Sequence, residues 1–176
     1  MTAPGSGLSK EAARALTRDL DPGRFRLCVW KNVTLTIWSA QATLEAAERV
    51  LRASRQLKRE FPHGRSQIMF ICDGAPAPEQ ATSELLTEIY NPKLSGISCI
   101  AAVLEGSGFW ASGIRSRMTS MRIAGGNAMA LRTQETIDAV ITWLPQEHAE
   151  RTGVILAPTE LKAVMVAVRA LGTYDT

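Results

Sequence analysis

Two short runs near the middle of the chain, Gln67 to Cys72 and Ile97 to Leu104, are almost continuously apolar. They are too short for helices and lack the polar alternation of a strand with one wet face, so both read as fully buried strands. A sheet buried on both sides needs helices around it, and the intervening sequence supplies them. From Gln41 to about Phe61, Leu44, Ala47, Leu51, Ser54, Leu57 and Phe61 recur at three- and four-residue steps, with Glu and Arg filling much of the remainder. This is the strongest amphipathic helix in the chain. Pro62-His63-Gly64 ends it.

Ahead of that helix, Phe25 to Trp30 and Val33 to Trp38 form two β-rich runs joined by Lys31-Asn32, which suits a tight hairpin. Alternation places Val33, Leu35 and Ile37 on one face and Thr34, Thr36 and Trp38 on the other. Downstream, a helix from Glu79 to Tyr90 is broken at Asn91-Pro92, and a helix from Phe109 to Ile123 follows the strand at 97–104. Ala128 to Arg132 makes a short strand, and Thr133 caps a helix running to about His148. At the amino end, residues 1–8 read as a flexible tail and residues 9–22 as a helix capped by Ser9 and stopped by Asp21-Pro22-Gly23. At the other end, residues 158–171 form an amphipathic helix with Leu161, Val164, Met165, Val168 and Leu171 on one stripe. The expected fold is α/β: a single mixed β-sheet with an N-terminal hairpin, helical crossovers and extra terminal helices.

Composition narrows the class of protein. The chain has 176 residues, enough for one domain with an appended segment, and 45% are hydrophobic. Twenty basic against 17 acidic residues leave a net charge of +3, which gives no support to nucleic-acid binding driven by bulk charge. Cys28, Cys72 and Cys99 lie in apolar runs without Cys-x-x-Cys spacing and read as reduced, buried thiols. His63 and His148 are too few and too far apart for an ordinary zinc set, so no metal is expected. With no run of ~18 uninterrupted apolar residues, no membrane span is expected, and the reading is a soluble cytoplasmic protein.

The order of elements, and the wording of residues 28–39 (Cys-Val-Trp-Lys-Asn-Val-Thr-Leu-Thr-Ile-Trp-Ser), 68–74 (Ile-Met-Phe-Ile-Cys-Asp-Gly) and 128–144, which end in Thr-Trp-Leu, resemble the STAS and SpoIIAA-like family of small α/β domains. The resemblance covers roughly Phe25 to Pro145, within an expected STAS-like domain over residues 25–148, and its motifs are topological rather than catalytic. It implies a binding or regulatory module, often switched by phosphorylation of a serine just after an Asp that ends the central strand. Here Gly74 and Ala75 follow Asp73, so that hydroxyl is missing. Partner binding without a phosphorylation gate is what remains of the family's mode.

Candidate chemistry is sparse. Gly106-Ser107-Gly108-Phe109-Trp110-Ala111 fits G-x-G-x-x-A between a strand and a helix, and Arg132 ends the next strand, where a ribose phosphate would be met. The same glycines also suit a simple strand-to-helix turn. Asp73 lies at a strand's carboxyl end, the usual place for α/β sites, or serves as a turn-forming carboxylate. His148 reads as a surface cap at a helix end. No nucleophile has an evident base, so no catalytic residue and no cofactor is assigned.

The helix at 109–123 carries more information. Trp110, Ile114, Met118 and Met121 form one stripe, with Arg115, Arg117 and Arg122 spread over other directions, and Trp, Met and Arg are residue types enriched at interfaces as well as in cores. The leading expectation is a non-catalytic protein-interaction or regulatory module, acting through self-association or a protein partner at Trp110, Ile114, Arg115, Met118, Met121 and Arg122. The alternative is a small-ligand or nucleotide-binding domain using Asp73, Gly106, Ser107, Gly108 and Arg132.

Overall fold

The computed structural model describes residues 17–21, 25–125 and 128–171. Six strands form one sheet in strictly sequential order: β1 (Thr17–Asp21), β2 (Phe25–Trp30), β3 (Val33–Trp38), β4 (Arg65–Ile71), β5 (Ile97–Leu104) and β6 (Ala130–Gln134). The first three are antiparallel neighbours; β3 through β6 are parallel. The helices are α1 (Leu44–Glu60), α2 (Gln80–Ile89), α3 (Pro92–Ser95), α4 (Gly108–Gly125), α5 (Ile137–Thr152) and α6 (Pro158–Leu171). This is the α/β architecture with a single mixed sheet, a hairpin and helical crossovers.

Sequential order has a direct consequence. Each right-handed crossover steps one strand over in the same direction, so the crossover helices collect on one face of the sheet. There α1, α2 and α4 cover Met69, Ile71, Ile100, Ala102 and Leu104. The opposite face, with Leu35, Ile37, Ile68, Phe70 and Val103, is left to α5 and α6, which follow the last strand and bring Val140, Leu144, Leu161 and Met165 onto it. The central strands β4 and β5 are buried from both sides, as their continuous apolar runs require.

The hairpin lies where expected, with Lys31 in the left-handed region (φ 51) at its turn. Val33, Leu35 and Ile37 face α5 and α6, and Trp38 faces the crossover helices. The C-terminal helix docks on its own chain, with Leu161, Val164, Met165 and Val168 buried.

Three expectations are corrected. Residues 17–21 of the helix expected at 9–22 are an edge strand, Thr17 pairing with Cys28 and Arg18 with Leu27; residues 1–16 and 22–24 lie outside the described residues. The reason is tertiary: β2 offers an open row of backbone donors and acceptors, and pairing with it outweighs a weak helical preference. Thr133 belongs to β6, and the cap of α5 is Thr136, whose hydroxyl accepts from the Ala139 amide at 3.2 Å. His148 is fully buried rather than a surface cap.

Candidate functional site

An apolar cavity of about 410 Å³ lies on the crossover-helix face, at the carboxyl ends of β3 and β4. Its floor is Trp38, Met69 and Ile71 from the sheet. One wall is α2, through Leu86 and Tyr90; the other is α4, through Ile114, Met118 and Met121. The loop after β4 closes one end with Ala75, Pro76 and Pro78.

Local chemistry explains why this space stays open. The loop wall is tied at two points: the Trp110 indole N–H donates to the Ala75 carbonyl at 2.8 Å, and the Gln41 side-chain amide donates to the Ala77 carbonyl at 3.0 Å. Gly74, in the left-handed region at φ 71, supplies the bend that brings Ala75 back under α4. At the floor, the Trp38 indole N–H donates to the Tyr90 hydroxyl; burial nevertheless pushes the phenol well above its usual range. Tyr90 is thereby fixed as a neutral phenol beside an apolar space.

At the amino end of β4 lies Arg65, 2% exposed and, among the described residues, without a carboxylate partner. Its guanidinium donates to Thr34 at 2.6 Å and to Ser54 at 2.7 Å, and its Nε has no partner. Burial draws its pKa down to about 10, with Tyr90 opposing that shift. The charge is accommodated by hydroxyl and amide dipoles from β3, β4 and α1, including Gln67.

The interface stripe proposed from sequence is turned inward. Met118 is buried, and Trp110, Ile114 and Met121 pack against the core while bordering or bracing the cavity. Arg115 pairs with Glu135 across the α4–β6 junction at 2.8 Å, and Arg122 borders a separate polar depression beside β6. Arg117, which the sequence reading set off the stripe and left out of the candidate site, lines the cavity itself. Its signal was present: Trp110, Ile114, Arg117 and Met121 stand at i, i+4, i+7 and i+11, one helical face.

Of the residues of the nucleotide alternative, Asp73 and Gly106 meet, whereas Arg132 stands apart. A Cβ on Gly106 would overlap the Asp73 carboxylate and reach within 2.8 Å of the Trp110 ring, so this glycine makes room for the protein's own side chains. The Asp73 carboxylate lies directly against this turn, where its charge would oppose a phosphate. Gly108 has φ 73 and opens α4 as a turn glycine, next to Ser107. Arg132 stacks over the Trp143 ring at 4.9 Å, on the α5 side of the sheet, in register with Ala101 and far up the strand from Gly106.

Two further polar clusters escaped sequence reading because their members are distant in the chain. Arg169 of α6 holds Glu105 through a two-pronged ion pair, Nη2 to Oε2 at 2.7 Å. Cys72 lies beside them, its thiol pushed up by burial and then by the Glu105 charge, which keeps it protonated. On the α5 face, Asn32 gives its amide to the Gly64 carbonyl, so its Oδ1 accepts from His148 Nε2 at 2.9 Å. That leaves His148 Nδ1 to accept the Ser66 hydroxyl at 2.6 Å. This Ser–His–Asn chain has the look of a hydrolase triad, but Ser66 and His148 are fully buried and border none of the cavity. It clamps α5 to β4 and the hairpin turn.

Among the described residues, no cluster of three or more His, Cys, Asp or Glu side chains is arranged to hold a metal, and no helix is long and apolar enough to cross a membrane. Compared with family models, curated proteins and solved structures, the chain gives no significant match.

Proposed function

We propose that this protein is a cytoplasmic, STAS-like regulatory binding module whose ligand is a small apolar molecule held between α2 and α4. The observation that carries this reading is the cavity: about 410 Å³, within the ~300–1,000 Å³ typical of small-molecule sites, apolar on nearly all sides, and set at strand carboxyl ends. The loop that the family resemblance marks as regulatory, after Asp73, is one of its walls. A ligand touching Ala75 and Pro76 acts on that loop directly, a route to regulation that needs no hydroxyl at residues 74 and 75. Self-association through the α4 stripe is the less favoured reading, since that stripe is spent on the core and cavity.

The test is binding of N-phenyl-1-naphthylamine, a neutral probe that fluoresces in apolar surroundings. Saturable binding at one site per chain is expected, abolished by Leu86→Trp, which fills the cavity from its α2 wall. Absent or non-saturable fluorescence overturns the reading.

A further inference from the structure

We infer that the ligand is an amphiphile with one anionic head, of the medium-chain carboxylate kind, its tail in the cavity and its head on Arg117. The inference rests on the apolar-ligand reading and adds the polarity and orientation of the ligand. Arg117 borders the cavity from α4, is exposed, and among the described residues has neither an ion pair nor a hydrogen bond of its own. Its neighbours on the helix differ: Arg115 is neutralised by Glu135. No Asp or Glu lines the cavity, so nothing on the wall offsets the guanidinium charge or welcomes a cation.

The other rim hydroxyls sharpen the assignment. Thr87 donates to the Ser83 carbonyl at 2.9 Å, and Ser120 donates to the Ser116 carbonyl at 3.2 Å, so both protons are spent inside their helices. Arg117 is left as the charged donor at the mouth, with the Ser83 hydroxyl across from it on α2. A planar guanidinium presents paired N–H groups that match a carboxylate in two-pronged fashion. An apolar interior with one unpaired cation at its entrance is complementary to a chain with an anionic end, and to neither a neutral nor a cationic amphiphile to the same degree.

Calorimetric titration of the full chain with decanoate, decan-1-ol and decylamine, at low and high salt, tests this. Decanoate is expected to bind about fivefold or more tightly than decanol, with decylamine weakest, and the gap should shrink with salt. Arg117→Ala should close the gap between decanoate and decanol, and Arg117→Lys should retain part of the preference. Equal binding of decanoate and decanol, or indifference to Arg117→Ala, overturns the anionic head while leaving the neutral-probe result and the cavity reading intact. Failure of all three ligands together with the neutral probe overturns both. A stable dimer in sedimentation that excludes the neutral probe assigns the cavity to a second copy of the chain and also overturns the inference.

Discussion

Trp110, in the first turns of α4, donates its indole N–H to the backbone carbonyl of Ala75 at 2.8 Å, joining the crossover helix after β5 to the loop after β4. Neighbouring crossovers are thus locked together at the end of the cavity that the loop closes. Trp110→Phe keeps most of the ring and removes the donor. Expected are a loss of about 1 kcal/mol in denaturant unfolding and weaker binding of the neutral probe. Unchanged stability together with unchanged binding would show the tie to be idle.

The Gly106–Asp73 approach predicts a paired effect. Gly106→Ala should cost about 1–3 kcal/mol, because the new methyl group meets the Asp73 carboxylate and the Trp110 ring. Adding Asp73→Ala should recover part of that loss. Independent, additive costs of the two changes, measured by urea unfolding as a double-mutant cycle, would contradict the contact.

How far the sequence reached can be seen from these same residues. Ile71 and Val103 were readable as core because period and length are local properties, and both are buried on adjacent central strands. The mixed sheet and the C-terminal docking helix were readable for the same reason. Glycines 106 and 108 looked like a phosphate turn because a motif records spacing and says nothing of what fills the space; here Asp73 and Trp110 fill the space beside Gly106. Trp110, Ile114, Met118 and Met121 were legible as a stripe, yet whether a stripe meets core, cavity or partner depends on α2 and the loop opposite it. His148 was misread because burial of its helix end against Ser66 and Asn32 is a long-range outcome.

His148 makes stability depend on acidity. Burial lowers its folded pKa from the ordinary 6.5 to about 4. Between those values the unfolded chain binds a proton that the folded chain refuses, so stability is full above pH 6.5 and falls as pH drops towards 4, by about 3 kcal/mol in total. Urea unfolding across this range should show that slope, flattened in His148→Gln. A wild-type slope carried over unchanged into the variant would place its origin elsewhere.

The face under α5 and α6 depends on the terminal helix. Leu161 is fully buried there, and Leu161→Ala should cost about 2–5 kcal/mol. Removing residues 158–176 takes Leu161, Val164, Met165 and Val168 out of the core cluster that includes Leu35 and Ile37 of β3 and should give insoluble protein. A soluble truncated chain with unaltered melting would contradict the docking.

The methionines give the most direct test of the cavity. Of the chain's six, Met69, Met118 and Met121 line it, whereas Met165 of α6 is buried against the opposite face of the sheet. With methyl-labelled methionine, titration with decanoate should move the Met69, Met118 and Met121 resonances along a common saturation curve and leave Met165 in place. Three cavity methyls that stay still at saturating ligand, or a Met165 signal that moves as far as they do, would contradict a ligand between α2 and α4.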